Sequence, residues 1–242
     1  RLGGAITRLG PTSRPVTGSV GVVVPAAGLG TRLGPGAPKS LRHLAGEPLL
    51  VHAVRRLRQC PSVGTVVIAA PPAELAVVRA LLTAYDVLVV AGGRERQDSV
   101  AAGLAALPTA VELVLVHDAA RALVPVAVVE AVVGALRAGA EAVVPVLPVP
   151  DTVKAVDASD WVVATLDRRD LRLVQTPQGF RRDVLVAAHA AAPPSGGLPA
   201  TDDAGLVERL GRPVLTVPGS EEAFKVTHPL DLLLAEAVLA SG

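Results

Sequence analysis

At 242 residues the chain suffices for one sizeable α/β domain, and its length argues against two separate cores. Half of it is apolar but only 2% is aromatic, so the core has to be built of Val, Leu and Ala, as in stacked parallel strands with crossover helices. A net charge of +1, from 23 basic and 22 acidic residues, excludes the broad basic surface of a nucleic-acid binder, and any recognition of phosphate has to be local.

Cys60 is the one cysteine, which excludes an internal disulfide and a cysteine zinc site; it reads as a small buried hydrophobe in a reducing, cytoplasmic setting. No apolar run free of Gly, Pro and charge reaches membrane-spanning length. The polar stretch from Arg1 to Ser19 lacks a signal-peptide core and reads as a loose tail before a single domain over residues 20–242. Val20 to Val24 is the first strand, and Pro48 to Gln59 a helix with Pro in its first turn. Strands at Thr65 to Ala69, Val87 to Val90, Leu113 to Val116 and Ala142 to Val146 alternate with helices at Ala73 to Thr83, Asp98 to Leu107 and Val126 to Arg137. Such alternation predicts a mostly parallel sheet covered by helices on both faces, with ligands outside the carboxyl ends of the strands.

Between Pro148 and Leu173 the alternation stops. This stretch is charged and rich in β-formers, including Trp161, Val162 and Val163, with too little apolar surface for a core of its own. It reads as a projecting β-arm; because an isolated hairpin is marginal in water, the arm is expected to pack on a second subunit in a homodimer. The competing reading is an irregular surface excursion. Helices near Arg181 to Ala191, Asp202 to Leu210 and Leu230 to Leu239 follow, with short strands at Val214 to Val217 and Ala223 to Val226.

The first strand runs into Pro25-Ala26-Ala27-Gly28-Leu29-Gly30-Thr31-Arg32, followed by Pro38-Lys39. Gly28 and Gly30 let backbone amides approach an anion closely, and Arg32 and Lys39 supply charge to neutralise a polyphosphate. A Walker loop is excluded because Lys39-Ser40 follows Pro38 with no glycine beside it, and a dinucleotide fingerprint because Leu33 replaces the third glycine. Gly92-Gly93 opens a helix that carries Ser99 and would admit a flat base, although such turns are common. Asp118, in His117-Asp118-Ala119-Ala120-Arg121, can hold ribose or a magnesium ion; it can equally cap a helix beside a paired Arg. His117 has no metal-ligand spacing and reads as structural. Thr201 is a candidate N-cap, and charged arm residues are ordinarily solvated.

Taken in order, Ala-Ala-Gly-x-Gly-x-Arg with Pro-Lys, Val-His-Asp-Ala-Ala-Arg, Asp-Thr-x-Lys, Thr-Pro-Gln and Lys-Val-Thr resemble the 2-C-methyl-D-erythritol 4-phosphate cytidylyltransferases from about Val20 to Leu239. The resemblance implies a Rossmann-like nucleotidyltransferase domain whose arm interlocks two subunits, with CTP and a polyol phosphate as substrates and Mg²⁺ as cofactor. Arg32 and Lys39 then match catalytic cations, with Arg168 and Lys225 orienting the substrate phosphate. Ala26, Ala27, Gly28 and Gly30 match the triphosphate loop. Gly92, Gly93 and Ser99 match the cytosine contacts, and Asp118 matches a ribose or magnesium-side acid. Arg121, Thr152, Arg168, Thr176, Thr201 and Lys225 match positions that hold the methylerythritol phosphate. Ser40 stands where Gln is usual and Arg94 where the family is often acidic; neither removes a charged catalytic group. A cytidylyltransferase for ribitol 5-phosphate or another polyol phosphate is the nearest alternative. A non-catalytic nucleotide-sensing subunit is the distant one, disfavoured because Arg32, Lys39, Arg168 and Lys225 are all present.

Overall fold

The computed structural model describes residues 18–28, 33, 36–192 and 201–241. The expected tail before Gly18, together with Gly30 and Arg32, lies outside the described residues. Strand β1 (Ser19–Pro25) contains five consecutive buried residues, as a strand covered on both faces must. A small hairpin follows, β2 (His43–Leu44) and β3 (Glu47–Pro48), whose Ala45-Gly46 turn takes positive φ at both positions. Then come α1 (Leu49–Arg58), β4 (Val63–Ala70), α2 (Leu75–Leu81), β5 (Leu88–Ala91) and α3 (Arg96–Ala106). After these run β6 (Val111–Val116), α4 (Val126–Arg137) and β7 (Ala142–Pro148).

β1 pairs in parallel with β4 on one side and β6 on the other, and β5 extends the sheet beyond β4. Alternate β1 residues divide the core. Val20, Val22 and Val24 face α1 and α4, while Val23 faces α3, α5 (Arg182–Ala191) and α6 (Asp203–Arg209). The expected α/β architecture with a mostly parallel sheet is therefore present, in a core of Val, Leu and Ala.

The arm emerges as an antiparallel hairpin of β8 (Val153–Val156) and β9 (Val162–Leu166), forming a sheet separate from the main one. The chain then returns along β7 as β10 (Arg172–Val174) and β11 (Gln178–Arg181), both antiparallel to it, with β11 wedged between β7 and β6. β12 (Leu215–Pro218) takes the opposite edge of β7, and α7 (Pro229–Ser241) closes the chain.

Several local expectations need correction. Pro48 caps α1 from outside rather than occupying its first turn. α3 starts at Arg96, two residues early, because Glu95 and Asp98 form a reciprocal capping box. Asp202, not Thr201, caps α6, its carboxylate accepting the Gly205 N–H at 2.9 Å. The segment from Ala223 to Val226 is no strand: Ser220 caps a 3-10 turn at Glu221–Ala223, and the Val226 N–H donates to the Ala120 carbonyl outside any strand pairing among the described residues.

Candidate active site

The carboxyl end of β1 turns outward at Ala26, whose N–H is held by the Ala69 carbonyl at 2.8 Å. The buried Ser40 hydroxyl donates to the Ala26 carbonyl at 2.8 Å. It thereby ties the glycine loop to the 3-10 turn Lys39–Leu41 that brings Lys39 to the cleft. On the facing wall lies the Gly92-Gly93 turn. A Cβ on Gly92 would sit 2.6 Å from the Ala27 Cβ, so only glycine lets the two loops approach this closely. Ser99 stitches that turn: its hydroxyl donates to the Glu95 carbonyl and accepts the Gly93 N–H, each at 3.1 Å. One lone pair on its oxygen remains.

This first cleft, about 230 Å³, is lined by Ala26, Ala27, Gly28, Lys39, Gly93 and Ser99, with Asp118 and Lys225 at its far side. A second cleft of about 200 Å³ adjoins it, lined by Arg121, Thr176, Gln178, Thr201, Asp118 and Lys225. The wall between the two is a line of alternating charge. Lys225 Nζ lies 2.7 Å from Asp118 Oδ2, and Arg96 Nε lies 3.3 Å from Asp118 Oδ1. Arg96 also donates through Nη1 to Asp203 Oδ2 at 2.6 Å, and His189 Nε2 lies 2.9 Å from the other Asp203 oxygen.

Burial by itself would raise the Asp118 carboxyl, but Arg96 and Lys225 outweigh it and hold the group well below the usual carboxylate range. Asp203 behaves alike: burial opposes ionisation, and the hydrogen bond with His189 and the charge of Arg96 prevail. His117 is fully buried, and burial pushes its pKa down to about 4, so the ring is neutral at pH 7. Its Nε2 faces the Arg121 carbonyl at 3.2 Å and its Nδ1 the Thr176 hydroxyl at 3.1 Å. Thr176 in turn accepts the Asp118 N–H at 3.0 Å, which sets the backbone of the acid. His117 is thus structural, as its lack of ligand spacing indicates.

Arg121 donates to the carbonyls of Ala223 and Val174, at 2.7 and 3.1 Å. Its Nε stays buried with no partner among the described residues. Burial lowers the guanidinium pKa, although Asp118 works against it. Thr152 and Arg168 line neither cleft of their own chain: both are exposed on the arm, and Arg168 is bonded to the Pro150 carbonyl. The residues unassigned from sequence are Arg96, Gln178, Asp202, Asp203 and His189. Arg96 carried a signal nonetheless, since a cation in the first turn of a helix opposes the helix dipole and calls for an acidic partner.

Among the described residues no group of three or more His, Cys, Asp or Glu could hold a metal ion. Asp118 is the carboxylate on the wall shared by both clefts, and it already faces two cations. Such a donor set fits an ion carried chiefly by nucleotide phosphates rather than one caged by protein. No helix of the described residues is long and apolar enough to cross a membrane.

Residues 20–241 match the family model described as 2-C-methyl-D-erythritol 4-phosphate cytidylyltransferase (IspD). A protein of that description from Streptomyces avermitilis is 56% identical over 230 residues, covering 90% of each chain. Another, from Saccharopolyspora erythraea, is 55% identical and is matched over its whole length by 92% of this chain. Among solved structures, 2-C-methyl-D-erythritol 4-phosphate cytidylyltransferase from Thermus thermophilus superposes with a TM-score of 0.73 at 39% identity. That match covers 92% of this chain and 99% of the other.

Proposed function

The chain belongs to the 2-C-methyl-D-erythritol 4-phosphate cytidylyltransferase family, and we propose on that premise that it transfers the cytidylyl group of CTP to 2-C-methyl-D-erythritol 4-phosphate. The products are 4-diphosphocytidyl-2-C-methyl-D-erythritol and pyrophosphate, in the methylerythritol phosphate route to isoprenoid precursors. The observation that carries this reading is the pair of adjoining clefts sharing one charged wall, with Lys225 lining both. CTP occupies the cleft of Ala26, Ala27, Gly28 and Lys39, with Arg32 following that loop in sequence; the cytosine edge meets the Gly92-Gly93 turn and the spare lone pair of Ser99. The polyol phosphate occupies the cleft of Arg121, Thr176 and Thr201, where the Arg121 Nε, without a partner among the described residues, supports an anionic ligand.

A phosphate monoester oxygen attacks the α-phosphorus and pyrophosphate leaves in line. Two anions have to meet, so their repulsion and the charge on the leaving group dominate the barrier. Lys39, Arg32, Lys225 and the loop amides lower it electrostatically. The nucleophile is ionised at neutral pH, so no general base is needed, in keeping with a neutral structural His117. Asp118 stays ionised and aims Lys225 at the boundary of the two subsites. Mg²⁺ carried on the triphosphate, with Asp118 as its protein-side acid, would neutralise phosphate charge and act as a Lewis acid.

The homodimer belongs to the same proposal. Trp161, Val162 and Val163 are 75%, 59% and 62% exposed on an arm with no core of its own, which supports a partner surface over it. Arg168 and Thr152 then serve the partner's second cleft. A cytoplasmic location accords with the free Cys60. Steady-state assays with CTP and either 2-C-methyl-D-erythritol 4-phosphate or ribitol 5-phosphate, read by pyrophosphate release and ³¹P NMR of the product, test the substrate. Preference for ribitol 5-phosphate would overturn it, and CTP binding without turnover of either would leave a sensor.

A further inference from the structure

We propose that Asp203 is a positioning residue for cytidylyl transfer, a buried anchor that sets Arg96 and, through it, Asp118 in the wall between the subsites. The inference rests on the activity proposed above and adds a residue that touches neither cleft. Asp203 is 1% exposed, sits in the first turn of α6, and receives Arg96 from α3 and His189 from α5. Three helices on one face of the sheet thus meet at one carboxylate. The contact from Arg96 to Asp203, at 2.6 Å, is shorter than its contact to Asp118, at 3.3 Å. The guanidinium is a rigid fork, so fixing Nη1 from behind fixes the direction in which Nε meets Asp118.

Gln178, which lines the second cleft, holds the residues on either side of the anchor. Gln178 donates to Asp202 at 2.6 Å and accepts the Ala204 N–H at 3.2 Å. The start of α6 is therefore held on both sides of Asp203, with Thr201 immediately before it. The Asp203 side chain itself bonds Arg96 and His189 and lines neither cleft, so its effect on the nucleotide wall has to pass through Arg96.

The test compares the full-length wild type with Asp203→Asn, Arg96→Gln, the double variant and His189→Gln. CTP affinity is measured by calorimetry, and kcat and KM by pyrophosphate release, with circular dichroism and Tm as controls for folding. Asp203→Asn and Arg96→Gln should each weaken CTP binding and lower kcat at least about tenfold, the loss of a charge-assisted hydrogen bond. The double variant should be no worse than the poorer single one, because both remove the same tie. His189→Gln keeps a donor and should keep near-wild-type kinetics. Wild-type CTP affinity and kcat in Asp203→Asn, or losses that add in the double variant, would overturn the proposal. If Asp203→Asn does not fold, Arg96→Gln, at a partly exposed residue, decides: unchanged kinetics there overturn it equally. Wild-type protein that binds CTP but transfers nothing to 2-C-methyl-D-erythritol 4-phosphate sinks the activity proposed above; the tie is then judged on CTP affinity alone.

Discussion

The ammonium of Lys225 lies 2.7 Å from the carboxylate of Asp118, across 107 residues of chain, at the boundary of two clefts. Asp118 is mostly buried and ionised, so it holds the Lys225 charge where phosphate oxygens have to pass. Lys225→Ala should lower kcat about a hundredfold, the usual loss of one transition-state donor. Asp118→Asn, which keeps the shape and removes the charge, should also slow turnover because Lys225 loses its aim. Steady-state kinetics on folded protein check both, and turnover near wild type in both variants would remove this pair from the reaction.

Lys39 faces the first cleft beside the glycine loop, and Arg32 follows that loop in sequence. Charge on the transferring phosphate develops in the transition state, so Lys39→Ala and Arg32→Ala should each lower kcat by about two orders of magnitude. Circular dichroism should remain unchanged. Variants with intact kcat and only a raised KM would reassign both cations to ground-state binding.

Acid should weaken the fold through His117. Its folded pKa, about 4 because of burial, lies below the roughly 6.5 of an unfolded histidine. Between these values the unfolded chain holds more protons, so stability falls as pH drops through that window and is unaffected above it. The full loss is roughly 3 kcal/mol. Urea midpoints at pH 7 and pH 4.5 should separate more for the wild type than for His117→Gln; parallel behaviour would count against a neutral buried ring.

Gly103 presents opposed effects. Replacing a helical glycine by alanine ordinarily gains about 1 kcal/mol, but here a Cβ would sit 2.3 Å from Cγ1 of Val23 in the central strand. Val23 is fully buried on the face of the sheet that α3 covers, so overpacking should prevail. Gly103→Ala should destabilise by about 1–3 kcal/mol in chemical denaturation, with partial relief on adding Val23→Ala. A more stable Gly103→Ala protein would mean that α3 can shift freely.

Arg168 on the arm and Lys39 in the main domain should complement each other between subunits. Arg168→Ala and Lys39→Ala are each expected to be nearly inactive. In a mixed dimer one site would carry both intact cations and the other neither, so activity should recover to about half of wild type if each site works independently. Dimers isolated by two tags would be assayed; activity left at the single-variant level would show that Arg168 serves its own chain. Deleting the arm should also yield monomers in sedimentation, and a dimeric deletion would place the interface elsewhere.

The strand–helix alternation up to β7 and the arm hairpin are legible in the sequence because each depends on a local signal. Valine runs mark buried strands, Pro and Gly mark ends, and an unpatterned β-rich stretch marks the excursion. β10 and β11 carry no such signal: three and four residues long, they are strands only because β6 and β7 offer open edges to pair with. Ala223 to Val226 has β-forming residues but no strand pairing among the described residues, its Val226 N–H going to the Ala120 carbonyl.

The site divides along the same line. Lys39, Gly93 and Asp118 were candidates from residue type and position at strand ends, and the structure places all three on the first cleft. Residue type alone left Asp118 equally readable as a helix cap, and the family resemblance singled it out. Gly30 and Arg32 stand on the same sequence signal. The line from His189 through Asp203 and Arg96 to Asp118 and Lys225 was not legible there, since its contacts span 14 to 107 residues of chain. By itself, then, the sequence determined the order of the elements and the chemistry of the loops, through backbone preference and local patterning. Only the tertiary structure decided which charges pair, because burial makes an unpartnered ion costly, and the partner that satisfies it is whatever the folded sheet and helices bring within reach.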